Sequence, residues 1–175
     1  MRIISGTHKG RRISAPKNLP VRPTTDRSKE GLFNILQHRL EFESLTVLDL
    51  FSGTGNMSYE FASRGVSKIT AVDQNRHCVN FIQKTAGNLE LDINTIQSEC
   101  ITFLKKNTST FSLIFADPPY DWEAEAYLNL LEQAKKCLDD SGIIIFEHSN
   151  FIDLSTGDGF DFSRNYGGSV FSFFE

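Results

Sequence analysis

Thr46-Val47-Leu48-Asp49-Leu50-Phe51-Ser52-Gly53-Thr54-Gly55 is the stretch that decides the fold. Residues 46–51 are β-branched or bulky and apolar except for Asp49, the signature of a short buried strand. The strand stops at a Gly-x-Gly loop, where residues without Cβ atoms let the chain turn tightly and pass close to a ligand. A helix follows to about residue 64. The alternation then repeats: strands at 68–73, 93–97, 112–117 and 142–147, with helices at 76–89, 100–106 and 123–138 between them. Strand–helix units in series predict an α/β fold, a mainly parallel sheet with helices on both faces. The end breaks the series. Residues 160–166 and 169–174, joined by Gly167-Gly168, read as a hairpin that adds an antiparallel edge and completes seven strands. Ahead of the first strand, residues 26–40 place Leu32, Phe33, Leu36 and Leu40 on one helical face, with Asp26 as the expected N-cap.

The fourth strand ends in Asp117-Pro118-Pro119-Tyr120. Each proline lacks an N–H and fixes φ, and each pushes its predecessor toward an extended conformation, so neither strand nor helix can continue. The result is a stiff turn presenting a carboxylate, two backbone carbonyls free of local partners and an aromatic face. Those groups suit a planar base with an exocyclic NH2: the carboxylate and a carbonyl accept the two amino hydrogens while the ring stacks on the base. Drawing both hydrogens toward fixed acceptors favours a pyramidal nitrogen able to attack a methyl donor. A plain Pro-Pro turn closing a buried strand is the bland alternative.

Ligands of such sheets sit outside the carboxyl ends of the strands. Gly53 and Gly55 lie there, and Asp73 ends the second strand 18 residues later, placed to accept ribose hydroxyls. Gly-x-Gly by itself serves NAD, FAD and other nucleotides alike. Here the third glycine of the dinucleotide pattern is replaced by Ser58, and Asp49 adds a carboxylate that is awkward beside a pyrophosphate. A carboxylate suits an ammonium and a sulfonium, and so points to S-adenosylmethionine. Asp49 could equally cap the helix or bind water. Glu99, after the third strand, could accept from an adenine amino group or be an exposed acid.

The net charge of −4 argues against a general nucleic-acid coat, yet the charge is uneven. Residues 1–30 carry eight basic and two acidic side chains, net +6, leaving −10 on the other 145. One basic face or arm beside a base-handling turn predicts phosphate contact. No apolar run has the length of a membrane span, and Met1-Arg2-Ile3-Ile4-Ser5-Gly6 has no signal-peptide core. Cys78, Cys100 and Cys137 read as reduced thiols of a cytoplasmic protein. Without paired Cys or His spacing no metal site is expected, and His8, His38, His77 and His148 read as surface residues or neighbours of a site.

In order, the chain presents a basic arm, Arg22-Pro23-Thr24-Thr25-Asp26-Arg27, the FSGTG loop, Asp73, the DPPY turn and Phe146-Glu147-His148. This order resembles the bacterial small-subunit (16S) ribosomal RNA guanine-N2 methyltransferases, the methyltransferase D type, over nearly the whole chain. Residues 2–6 and 22–30 carry the most specific part of the likeness, and residues 153–161 depart from it most. The resemblance implies a Rossmann-like S-adenosylmethionine-dependent methyltransferase domain over 26–175 and a small basic N-terminal β-hairpin or arm over 1–25. It implies a cytoplasmic monomer that methylates one guanine of small-subunit rRNA or of the assembling subunit. Gly53 and Gly55 would cradle the methionine part of the cofactor, with Asp49 and Phe51 also among the cofactor-binding residues. Asp73 would bind its ribose, and Glu99 with Cys100 would border its adenine. Arg22, Thr24 and Thr25 would close the site, the two threonines as cofactor-binding residues, Asp117, Pro118, Pro119 and Tyr120 would hold the guanine, and Arg2, Lys9, Arg11, Arg12 and Arg22 would meet the RNA. DPPY-type turns also serve adenine-N6 methylation, and a cofactor-binding assembly factor without catalysis is the alternative of another class.

Overall fold

The computed structural model describes residues 1–16, 19 and 24–175. Arg22, expected at the site and on the RNA, lies outside the described residues, as does Lys17 of the basic segment. The elements run α1 (Asp26–Leu36), β1 (Thr46–Leu50), α2 (Asn56–Ser63), β2 (Lys68–Asp73), α3 (Arg76–Asn88), β3 (Ile93–Gln97), α4 (Cys100–Lys106), β4 (Phe111–Ala116), α5 (Ala124–Lys135), β5 (Leu138–Ser149), β6 (Phe160–Tyr166) and β7 (Ser169–Phe174). They build a seven-stranded sheet in the order β3-β2-β1-β4-β5-β7-β6. β1 to β5 are parallel, and the β6–β7 hairpin pairs antiparallel with β5 through β7.

The order reverses between β1 and β4. Two neighbouring strands there leave in opposite directions, which opens a crevice at their carboxyl ends. Alternate strand residues feed the two faces of the sheet. Val47, Leu113, Phe115, Ile145 and Phe171 pack with α1, α2 and α3, whereas Leu48, Leu50, Ile114, Ile144 and Phe146 pack with α4 and α5.

The N-terminal segment folds back as a hairpin, with Arg2 bridged to Arg12 and the Ile3 N–H donating to the Arg11 carbonyl at 3.0 Å. Ile3 and Ile13 are buried in the same core as α1 and α2. The hairpin is also tied to α2 by polar contacts: the Glu60 carboxylate accepts from the Ile4 and Ser5 N–H groups, at 2.7 and 3.1 Å. Lys29, fully buried, pairs with Glu60 at 3.4 Å and donates to the Arg2 carbonyl at 2.7 Å. Burial pushes the Lys29 ammonium below its usual range, against the pull of Glu60. One of the eight basic residues of the segment is therefore spent inside the molecule.

Three expectations need correction. Thr25, not Asp26, caps α1, its hydroxyl accepting from the Ser28 N–H at 3.1 Å. A Thr at the N-cap leaves Asp26 in the first turn, where its charge favours the helix N-terminus. α1 ends at Leu36, short of residue 40. Leu40 reaches the same core from a turn, and that turn lets Arg39 pair with Asp161 and Glu175, a reward apolar spacing cannot report. β5 begins at Leu138, which pairs with Phe111 across an irregularity in register. The polar run Asp139-Asp140-Ser141 imitates a turn in sequence and falls within that irregularity, between the Phe111–Leu138 and Leu113–Ile143 pairs.

Candidate active site

The first wall of the crevice is made by backbone. Past β1 the chain takes positive φ at Phe51, Gly53 and Gly55, at 57°, 52° and 79°. Gly55 is fixed by contact as well as by φ, since a Cβ there would fall 2.8 Å from the Tyr59 ring and 2.9 Å from Ile82. Asp73 holds this loop in place. One of its oxygens accepts from the Gly53 N–H and the other from the Asn75 N–H, each at 2.8 Å. A carboxylate oxygen has more than one lone pair, so Asp73 keeps acceptor capacity toward the cavity it lines. The Ser52 hydroxyl is buried and has no hydrogen-bond partner among the described residues.

Asp49 lies beneath the loop, 1% exposed, accepting from the Ser58 N–H at 3.1 Å and the Ser58 hydroxyl at 2.5 Å. Burial pushes its carboxyl up to about 7, against those two bonds. At the far rim Glu99 caps α4, taking the Ile101 and Thr102 N–H groups at 2.8 and 2.7 Å. Burial opposes its ionisation, but these bonds outweigh it and hold the carboxyl below its usual range. The neighbouring Cys100 thiol is pushed up to about 12 by burial, which makes it an apolar wall and not a nucleophile.

The second wall is built by side chains from distant parts of the sequence. The Asp117 N–H points at the Leu50 carbonyl, 3.5 Å away, so the DPPY turn starts against the end of β1. The Pro119 carbonyl accepts from the Trp122 N–H at 3.1 Å, which corrects the expectation of two locally free carbonyls and leaves the acceptor role to Pro118. The Tyr120 hydroxyl bonds the Ser169 hydroxyl at 2.8 Å and lies 3.3 Å from the Glu147 carboxyl group. Glu147 also accepts from Ser169 at 2.8 Å and from the Thr24 hydroxyl at 2.6 Å. The Thr24 carbonyl in turn accepts from the Asn56 amide at 3.1 Å, and Asn56 accepts from Lys29 at 2.8 Å. The two walls enclose one cavity of about 540 Å³. Phe51, Gly53, Asp73, Glu99 and Cys100 line it on one side, Asp117, Pro118, Pro119, Tyr120 and Thr24 on the other.

Comparison with known proteins places this architecture. The family model described as "Conserved hypothetical protein 95" matches residues 1–175. The chain belongs to that family. A Bacillus subtilis relative named "Putative rRNA methyltransferase YlbH" is 32% identical, the match covering 88% of this chain and 85% of that protein. The "Ribosomal RNA small subunit methyltransferase D" of Haemophilus influenzae is also 32% identical, over 77% of this chain and 68% of its own length. A solved hypothetical protein from Thermus thermophilus superposes with a TM-score of 0.86 at 24% identity, covering 100% of this chain and 99% of the other, a likeness of fold.

In this family member, Asp49, Phe51, Gly53, Asp73, Glu99, Cys100, Thr24 and the DPPY turn border one cavity, and Gly55 stands just behind its loop. Thr25 does not line it, because its hydroxyl is occupied in capping α1. Lys9, Arg11 and Arg12 are exposed on the hairpin, and half-exposed Arg2 pairs with Asp26 at 3.2 Å. None of the four lines the cavity, though the hairpin reaches its edge where Met1 meets the Thr54 hydroxyl at 3.8 Å. His148 is buried, its ring bonded to the Ser172 hydroxyl at 2.8 Å and lowered by burial. Sequence reasoning missed Ser52, Asn56, Asn75 and Trp122 on the wall, and Ser169 behind it. Asn56 could have been found by its place directly after Gly55. Trp122, edge-on to Phe51 with centroids 5.3 Å apart, carries no spacing signal. Among the described residues no helix is long and apolar enough to cross a membrane, and no cluster of three or more His, Cys, Asp or Glu could hold a metal ion.

Proposed function

We propose that this chain transfers a methyl group from S-adenosylmethionine to the exocyclic N2 of one guanine in small-subunit ribosomal RNA. It is an S-adenosylmethionine-dependent rRNA methyltransferase, and the single observation that carries the guanine reading is that the DPPY turn and the glycine loop open into the same cavity. The cofactor fits the donor set. Gly53 turns its backbone along the cavity wall at positive φ, Asp73 offers acceptors to a ribose diol, and the buried Ser52 hydroxyl awaits a polar partner. When bound, that cofactor supplies a methyl on a sulfonium, a good leaving group without further activation.

The rest is work for this chain's residues. Asp117 and the Pro118 carbonyl accept the two amino hydrogens and aim the nitrogen lone pair along the crevice. Tyr120 stacks on the base, an interaction of about 1–3 kcal/mol in comparable sites. The guanine leaves its own stack to reach this depth, while the exposed basic side chains of residues 1–25 grip the backbone around it. In this reading that segment is the RNA-gripping element and residues 26–175 the catalytic body of a monomer acting in the cytoplasm. The relatives' names and the acceptor geometry support it. Mapping methyl groups by mass on small-subunit rRNA from cells with and without the protein tests it directly. One guanine should lose its N2 methyl in the deletion and regain it with purified protein and cofactor. An unchanged methyl map would refute the reading.

A further inference from the structure

Glu147 does not line the cavity, yet it touches two groups that do. It is 2% exposed and lies on β5, flanked on one side by β4 and paired on the other with Phe171 of β7, so its backbone is fixed. Among the described residues three hydroxyls gather at its carboxyl group: Thr24 on one oxygen at 2.6 Å, Ser169 on the other at 2.8 Å, and Tyr120, bonded to Ser169, 3.3 Å from that same oxygen. These donors come from three places far apart in sequence: the approach to α1, the turn after β4, and the start of β7. Buried carboxyl oxygens require such donors. The dependence is mutual. The stacking face of a tyrosine ring is of use in only one orientation, and bonds to its hydroxyl help to set that orientation.

From this convergence we propose that Glu147 is a positioning residue: it anchors the Tyr120 ring and the Thr24 segment to one fixed carboxylate, so that the acceptor side of the cavity is set before the base enters. The inference rests on the acceptor reading given above. Thr24 is held from the other direction too, by the Asn56 amide at the start of α2, so the anchored segment spans from the acceptor wall to the cofactor loop. An acid that merely kept β5 and β7 in register would have no use for the Tyr120 hydroxyl.

The test is a double-mutant cycle between Glu147→Gln and Tyr120→Phe, read as methyl transfer to small-subunit RNA. Glu147→Gln keeps the shape but offers one acceptor oxygen in place of two, and should lower kcat/KM for RNA about tenfold, mainly through KM. Its affinity for S-adenosylhomocysteine should stay within about twofold, because Glu147 itself touches no residue of the glycine loop and the Asn56 bond to the Thr24 carbonyl remains. Tyr120→Phe should move KM in the same direction, and the double variant should be no worse than Glu147→Gln alone. Losses that multiply, or a Glu147→Gln enzyme with wild-type KM, would overturn the proposal. Should Glu147→Gln fold poorly, the cycle of Thr24→Val with Tyr120→Phe replaces it, since these two side chains meet at Glu147, and it must show the same non-additivity. Wild-type protein that transfers no methyl to RNA would remove the acceptor reading and this inference with it, an outcome distinct from active enzyme with multiplying losses.

Discussion

The two walls of the cavity are built differently. The glycine-loop wall is continuous in sequence and made by backbone: Gly53 and Gly55 at positive φ, with Asp73 bonded to the Gly53 N–H. The DPPY wall is a meeting of side chains, with Tyr120, Thr24 and Ser169 joined through Glu147. A wall made by backbone keeps its path when a lining side chain other than Asp73, which holds the loop, is lost. A wall made by convergence does not, because each member orients another. Substitutions on the two walls should therefore separate cofactor affinity from methyl transfer.

The largest effect is expected at the DPPY turn. Asp117→Ala should slow single-turnover methyl transfer about a hundredfold or more, since a misaligned nucleophile forfeits the gain from orientation. Its affinity for S-adenosylhomocysteine, measured by calorimetry, should hardly change. Full activity in this variant would reduce the turn to a structural closure. On the other wall, Asp73→Ala should weaken S-adenosylhomocysteine binding by about 1–3 kcal/mol, because ribose hydroxyls lose their acceptor and the Gly53 N–H loses its partner. RNA affinity measured without cofactor should stay at the wild-type value, and a parallel loss of both would erase the distinction between the walls.

The hairpin should act on neither wall directly. Replacing exposed Arg11 and Arg12 by Ala should lower the slope of log affinity for RNA against log salt by about two, one per lost phosphate contact. Cofactor binding and melting temperature should stay put. Wild-type RNA affinity at both low and moderate salt would move RNA recognition to another surface.

The smallest effect concerns pH and the acid beneath the glycine loop. Asp49 titrates near 3.8 in an unfolded chain and at about 7 when folded. Between those values the folded protein keeps a proton the unfolded chain has released, so unfolding releases a proton and is favoured as pH rises. The stability this group contributes is fully present below 3.8 and is lost by the time pH passes about 7. His148, lowered by burial, tilts stability the other way. Denaturation of wild type and Asp49→Asn at pH 5 and pH 7 isolates Asp49, because the histidine contribution cancels in the difference. The wild type should lose more stability than the variant over that interval. Equal losses would mean that Asp49 is ionised throughout.

By itself the sequence determined the sheet, its parallel core with an antiparallel edge, and the glycine-loop wall. These follow from local physics: apolar periodicity, glycines where φ is positive, and prolines that forbid strand or helix to continue. Asp73 and the DPPY turn were legible for the same reason, each being fixed to the end of a strand. Only the tertiary structure decided which charges of the basic segment stay outside, because Lys29 finds Glu60 on α2, 31 residues further along the chain. It also decided that Thr25 caps α1 and does not line the cavity, since a hydroxyl has one local use and one distant use that look identical in sequence. And it decided that Glu147 receives Thr24, 123 residues earlier, and Ser169, 22 residues later. No spacing rule spans such separations. Burial alone makes the contacts compulsory, because a carboxylate withdrawn from water must be met by donors wherever in the chain they lie.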